Sequence, residues 1–406
     1  MRNVFLTFLR LGLTSFGGPI AHIGYFRREF VERRGWLDER LFAHIVAFCS
    51  VLPGPTSSQV GMIVGLVRAG PLGAIAAWLG FTLPSALVMA LFGAALTSLE
   101  SEAQPAPAVL TGMLAGLGAA ATAIVAVAVL GMAKSQCPDR MTRTIAAGAA
   151  VLALALAPGA VWQWVPIVAG ALAGALLCPR AGTEAAAGAA RASATLTIAI
   201  PLAVSRAAAL LFVVLAVAAG LVANHNATGF LLATLVRAGA LVFGGGHVVL
   251  PLLQSLVPAG LISGRDFYAG YGAAQAVPGP LFTFAAFLGM ANHSPLHGPW
   301  GAVVATVLIF APSFMLIFAL LPILDALRAN PAAAGALRGA NAAVVGLLAA
   351  LLYSPLLLSL GTSLWRVAIA VTVFTLVAVW NAPPWLAVAL AAALGAAAAA
   401  ARFAFV

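Results

Sequence analysis

Of the 406 residues, 63% are hydrophobic and 7% charged, and the formal net charge is +10. A soluble domain carries roughly 25% charged residues, so this chain cannot cover its own surface in water, which excludes a soluble enzyme, a secreted disulfide scaffold and an ordinary nucleic-acid binder. The basic residues stand singly or in short loops between apolar blocks, as positive-inside anchors do, and they bias the protein toward anionic solutes.

A helix needs about 20 mostly apolar residues to cross the hydrocarbon layer. By that measure hydrophobic segments fall at 4–25, 41–67, 71–98, 107–133, 144–158 and 160–178. Further segments follow at 207–224, 228–252, 267–290, 299–321, 336–360, 364–380 and 384–404. Only Pro158-Gly159 separates 144–158 from 160–178, so this pair reads as a tight hairpin or as one long, kinked span. The fold class is therefore an all-α polytopic membrane protein with about 10 to 14 membrane segments. Residues 1–178 form one transporter-like repeat and 207–406 a second, joined by an Ala- and Arg-containing linker at 179–206. The N-terminus shows no small-residue cleavage site, so no removable signal peptide is expected. Cys49, Cys137 and Cys178 lie far apart and imply neither a disulfide framework nor a zinc cluster.

Loop charges suggest an orientation. Arg27, Arg28, Arg33, Arg34 and Arg40 form the densest basic cluster, whereas Glu100 and Glu102 mark an acidic turn. Basic loops inside and the acidic turn outside are compatible if 41–67 dips in and returns, or breaks, at Pro53-Gly54-Pro55, where neither proline continues a helical ladder.

The most informative feature is self-similarity. Arg10-Leu11-Gly12 through Phe16-Gly17-Gly18-Pro19 recurs as Arg237-Ala238-Gly239 through Phe243-Gly244-Gly245-Gly246, shifted by 227 positions. Pro53-Gly54-Pro55 recurs as Pro278-Gly279-Pro280, shifted by 225, and Gly73-Ala74 with Pro84-Ser85 as Gly301-Ala302 with Pro312-Ser313, shifted by 228. Helix breakers at membrane depth survive only beside protein or a water-filled cavity. At matching places in two halves they point to a transporter's midplane binding site, where broken helix ends offer free N–H groups to an anion. If helical, the seven-residue spacing puts Arg10 on the face of Gly17, and Arg237 on that of Gly244.

With these motifs the chain resembles the chromate ion transporter family (the CHR superfamily) in its long, two-domain form. The resemblance rests on Phe16-Gly17-Gly18-Pro19-x-x-His22, Leu52-Pro53-Gly54-Pro55-x-x-x-Gln59 and Phe81-x-Leu83-Pro84, with Phe243-Gly244-Gly245-Gly246 and Val277-Pro278-Gly279-Pro280 in the second half. It covers 5–100 and 230–320 and implies oppositely oriented halves, that is, inverted repeats. It also implies a secondary transporter that exports chromate through the bacterial cytoplasmic (inner) membrane and so gives chromate resistance, with sulfate as a close structural competitor. A sulfate or other oxyanion transporter is the alternative. An intramembrane enzyme such as a chromate reductase is disfavoured because no redox motif, nucleotide fingerprint or metal-ligand cluster is present. No enzymatic activity, cofactor, metal or nucleic-acid partner is expected. Chromate, sulfate and membrane lipid are the expected partners, with a homodimer left open.

The candidate substrate-binding residues are Arg10, Gly17, Gly18, His22, Pro53, Gly54, Pro55, Ser57 and Gln59 in the first half. Arg237, Gly244, Gly245, Gly246, His247, Pro278, Gly279 and Pro280 complete the set in the second. Intramembrane cations are functional candidates, and consecutive glycines weaken a helix where spaced ones line a packing face. The spaced pairs Gly112/Gly116 and Gly170/Gly174 read as packing. His22 and His247 stand at different offsets from their glycines, so they are not repeat equivalents. Glu29 and Glu32 with Arg33 and Arg34 read as a solvated loop network. Asp266 beside Arg265, and Asp325 near Arg328, read as exposed pairs. Because the first break is followed by Thr56, Ser57, Ser58 and Gln59 and the second by Leu281, Phe282 and Thr283, the first is expected to dominate anion binding.

Overall fold

The computed structural model describes residues 1–50, 52–101, 107–156, 164–178, 200–242, 249–323 and 330–404, and every regular element among them is helical. The first half contains α1 (Arg2–Thr14), α2 (Gly18–Arg27), α3 (Glu39–Cys49), α4 (Thr56–Ser101), α5 (Ala108–Gln136), α6 (Arg140–Ala155) and α7 (Trp164–Leu177). The second contains α8 (Leu202–Val222), α9 (Ala227–Leu241), α10 (Val249–Leu253), α11 (Gly264–Ala276), α12 (Phe284–Ala291), α13 (Gly298–Leu320), α14 (Pro331–Leu351), α15 (Leu364–Ala378) and α16 (Pro384–Ala404). Among the described residues six helices are long and apolar enough to cross a membrane: Thr56–Leu99, Ala108–Gln136, Leu202–Val222, Gly298–Leu320, Pro331–Leu360 and Pro384–Ala401. The outer face of α8 bares Leu210, Val213, Val214, Val217 and Leu221, a surface that suits hydrocarbon and not water.

Local sequence explains where the helices start and stop. Asp38 caps α3 through Leu41 N, Asp139 caps α6 through Thr142 N, and Asn226 caps α9 through Gly229 N. Asn330 caps α14, with Pro331 in the first turn where a missing N–H costs nothing. Segment 4–25 is split, because Gly17 (φ 101°) and Gly18 (φ 78°) leave the helical region. Segment 41–67 breaks at Pro53-Gly54-Pro55, and its second part runs on through a kink at Ala69 and Gly70, ahead of Pro71, into 71–98. The described residues within 144–178 form two helices, α6 and α7, packed on one another as a hairpin's arms are, and not one kinked span. Pro158 and Gly159 themselves, and most of the 179–206 linker, lie outside the described residues.

The halves are laid out alike and then exchange their ends. Helix α1 packs on α4 as α9 packs on α13, with Gly12 against Phe81 O and Gly239 against Ile309 O. These are matching positions, since Phe81 and Ile309 differ by the same 228 as the Pro-Ser landmarks. Helix α5 of the first half packs on α16 of the second, where Gly112 and Gly116 meet Gly395 and Ala391. Reciprocally, α14 packs on α7, where Gly335 and Gly339 meet Gly174 and Gly170. Small residues let these backbones approach closely, as membrane helix pairs require. Each half therefore completes the other.

Candidate functional site

The site forms where the broken helices of the two halves meet. Helix α1 stops at Thr14, and Ser15 is extended (φ −89°, ψ 95°). Its counterpart Val242 leaves α9 in a similar conformation (φ −73°, ψ 115°). The amide of Gly54 donates to Val242 O at 2.6 Å, and the amide of Gly279 donates to Ser15 O at 2.9 Å. Each half's Pro-Gly-Pro thus binds the carbonyl that ends the other half's arginine-bearing helix. Such reciprocity is the mark of a two-fold relation.

Side chains repeat the pattern. A Cβ on Gly54 would strike Ser313 Oγ, and a Cβ on Gly279 would come within 2.7 Å of Ser85 Oγ. Both glycines also have φ above +100° (122° and 103°), which a residue with a Cβ adopts only under strain. All the Pro-Gly-Pro and Pro-Ser landmarks found in the sequence therefore converge on one crossing.

The chemistry there is not symmetric. His22 is buried, with Nδ1 3.2 Å from Ser57 Oγ and Nε2 3.2 Å from Ser15 O. Gln59, wholly buried, donates from Nε2 to Pro53 O at 2.7 Å and so ties the first turn of α4 to the break before it. Ser15 Oγ, Ser58 Oγ, Gln59 Oε1, Thr82 Oγ1 and Ser313 Oγ are buried and have no hydrogen-bond partner among the described residues. Buried polar atoms are rarely left unpaired, and each such case asks for a ligand or water. In the second half the positions matching Ser57, Gln59 and Thr82 are Phe282, Phe284 and Phe310, all fully buried. The match to Ser58 is Thr283, whose hydroxyl is already used on Pro280 O at 2.8 Å. After its Pro-Gly-Pro the second half instead has a short turn, Leu281–Thr283, before α12.

Pro53, Gly54, Pro55, Ser57, Gln59 and His22 thus gather at the crossing with Pro278, Gly279 and Pro280. Gly17 and Gly18 form the bend that leads His22 back to Ser15. Arg237 is half-buried on α9 and has no hydrogen-bond or ion-pair partner among the described residues, whereas Arg10 is exposed on α1. The two-turn argument for Arg10 and Gly17 does not hold, because the helix ends at Thr14 and the face is lost before Gly17. Gly244, Gly245, Gly246 and His247 lie outside the described residues, as do Glu102, Asp325 and Arg328.

Two peripheral readings need correction. Glu29 is not solvated: it is buried beneath Arg33 (3.0 Å) and Arg34 (2.5 Å). Burial works against its charge, yet the hydrogen bonds and positive charges of Arg34 and Arg33 together outweigh that and hold its carboxyl below the ordinary range. Asp266 is likewise buried, because it sits in the first turn of α11 and exchanges hydrogen bonds with Ser263 in addition to its contact with Arg265 at 3.0 Å. The sequence reading missed Ser15 and Thr82, and it noted Ser85 and Ser313 only as repeat landmarks. The Pro-Ser recurrence was the available signal for the last two. Among the described residues no group of His, Cys, Asp and Glu is placed to hold a metal ion.

A family model described as "Chromate transporter" matches residues 2–175 and 229–396, one segment in each half. The chain is 32% identical over 350 residues to a chromate transport protein of Pseudomonas aeruginosa, a match covering 86% of this chain and 79% of the relative. It is 29% identical over 357 residues to an uncharacterised transporter of Methanocaldococcus jannaschii, covering 86% and 82% of the two chains. A chromate transport protein of Cupriavidus metallidurans is 25% identical over 355 residues, covering 85% and 80%. No solved structure matches this chain.

Proposed function

Since the chain belongs to the chromate transporter family, we propose that it carries chromate across the bacterial cytoplasmic membrane, moves it outward, and thereby gives chromate resistance. The observation that carries this reading is the set of unpartnered buried hydroxyls of Ser15, Ser58, Thr82 and Ser313 around the crossing of the two halves. A tetrahedral oxyanion offers oxygens in several directions, and hydroxyls together with the free first-turn N–H groups of α4 are donors suited to them. Arg237 supplies a permanent cation nearby on the helix whose end Gly54 binds. Sulfate has the same shape and charge and is a competitor.

The drive is the membrane potential or an ion gradient. One charge crossing 100 mV is worth about 2.3 kcal/mol, so a dianion leaving a negative interior gains roughly twice that. The two-fold layout supports inverted halves that rock about the crossing to open it to one side at a time. The test is uptake of labelled chromate into everted membrane vesicles, with and without sulfate. Export predicts uptake that sulfate suppresses. Uptake confined to right-side-out vesicles would instead make the protein an importer, and reduction of chromate by the purified protein would make it an enzyme.

A further inference from the structure

His22 has two different partners, and they fix its protonation chemistry. A backbone carbonyl only accepts, so the nitrogen facing Ser15 O, Nε2, carries the proton. In the neutral ring Nδ1 then accepts from the Ser57 hydroxyl at 3.2 Å, and the single O–H of Ser57 is used up on the imidazole. A proton taken up at Nδ1 reverses that bond. The ring now donates to Ser57 Oγ, and the serine must turn its hydrogen elsewhere. Ser57 stands in the first turn of α4 beside Ser58, whose hydroxyl is unpartnered, so the hydrogen it releases becomes a donor at the edge of the crossing.

The charge balance favours the same coupling. Among the described residues His22 hydrogen-bonds only to Ser15 and Ser57, and its ring lies edge-to-face with Phe81 at 5.2 Å. On its own helix are Tyr25 and Arg27, the latter paired with Glu32 and Glu39. On the turn that follows, Glu29 is held by Arg33 and Arg34, beside Arg28. Helix α3 carries Glu39, Arg40, His44 and Cys49, and α4 carries Arg68, which lies over Trp36. None of these reaches the imidazole, so a protonated His22 has no carboxylate counter-ion among the described residues. An oxyanion at the crossing supplies one, and by reciprocity the imidazolium strengthens anion binding by the factor with which the anion raises proton affinity.

We propose that His22 and Ser57 form a relay that binds one proton with each oxyanion, so that the protein carries the two together. This rests on the oxyanion-transport reading above. A dianion accompanied by one proton crosses as a complex of one net negative charge, which lowers the cost of burying it and leaves one charge, in place of the two of an unaccompanied dianion, for the membrane potential to drive outward.

The test is proton uptake on anion binding to the purified full chain in weakly buffered detergent, read with an indicator dye. Sulfate is the direct probe, because unlike chromate it does not titrate near neutral pH. The wild type is expected to take up protons as sulfate or chromate binds, and its affinity to rise by up to about tenfold per unit fall in pH. His22→Gln reproduces the neutral ring, with an amide N–H for Ser15 O and an oxygen for Ser57. Its affinity should be nearly flat with pH, and its proton uptake on chromate binding should fall by up to one per site relative to wild type. That difference between proteins removes the titration of chromate itself. Binding by wild type without proton uptake from sulfate overturns the relay whether or not the variant accumulates, as do equal pH profiles for the two proteins. A wild type that binds neither chromate nor sulfate at any pH overturns the functional reading, and this inference with it.

Discussion

The amide of Gly54 donates to the carbonyl of Val242 at 2.6 Å, which joins the middle of one half's helix break to the end of the other half's helix α9. Because Gly279 does the same to Ser15, two breaks that would each expose backbone in a membrane satisfy one another. What remains unsatisfied at the crossing is side-chain oxygen, on Ser15, Ser58, Gln59 and Thr82 from the first half and on Ser313 from the second.

Gly279→Ala places a methyl against Ser85 Oγ and forces a residue with a Cβ into a left-handed backbone, a strain of roughly 1–2 kcal/mol before any clash. Chromate transport per inserted molecule should fall severalfold. Adding Ser85→Ala removes the clash with the hydroxyl but not the backbone strain, so recovery should be partial. A fully active single variant would show that the crossing is looser than described.

Replacing Pro53-Gly54-Pro55 by three alanines restores helix where the first-turn donors of α4 now stand free. Transport should be abolished. The same change at Pro278-Gly279-Pro280 should weaken it less, since Thr283 is already self-satisfied and Phe282 and Phe284 offer no donors. Chromate transport normalised to membrane protein compares the two, and equal losses would refute the asymmetry.

Arg237→Ala should lower transport about tenfold or more, because a half-buried cation that no other group among the described residues neutralises is lost. Arg237→Lys keeps the charge but not the planar fork and should be intermediate. Arg10→Ala, on an exposed position, should cost less. Resistance of cells carrying each variant, at matched membrane levels, ranks them; the reverse order would move the anion path to the face of α1.

Glu29 binds Arg33 and Arg34 with its carboxyl held below the ordinary range by their hydrogen bonds and positive charges, against the opposing effect of burial. A depressed carboxyl stabilises fully above its unfolded value and loses that effect as pH falls through the lower folded value. Protection of residues 28–37 from hydrogen exchange, corrected for the intrinsic pH dependence of amide exchange, should therefore be unchanged from neutral pH down to about pH 5 and fall only in stronger acid. Glu29→Gln should lower it above about pH 5 and match the wild type in strong acid, where the carboxyl is protonated in both states. Loss of that protection already between about pH 6 and 5 would contradict this assignment.

Much of the framework was legible in the sequence because it rests on local chemistry. Glycines, prolines and apolar blocks announce helices and their breaks, and the recurrence of Pro-Gly-Pro revealed the two halves. What stayed hidden depends on contacts between residues far apart in sequence. Nothing local says that Gly54 would meet Val242, or that α5 would pack on α16 and not within its own half. Hydroxyls misled for a related reason. A serine or threonine in a membrane helix commonly bonds a carbonyl one turn back, as Thr122 does to Gly118 O and Thr306 to Ala302 O. Only the assembled crossing distinguishes Thr82 and Ser313, which have no such bond, from these. The helical face drawn from Arg10 to Gly17 failed because the helix ends between them.

The central claim is that the unpartnered hydroxyls at the crossing bind the oxyanion. Equilibrium binding of labelled chromate to the purified protein, comparing wild type with Ser58→Ala/Ser313→Ala, tests it most directly. The two residues come from opposite halves, and a hydrogen bond to a charged group is worth about 1.5–3 kcal/mol. The double variant should therefore bind at least about tenfold more weakly while folding and inserting normally, tenfold being about 1.4 kcal/mol. Unchanged affinity would place the anion elsewhere and contradict the account.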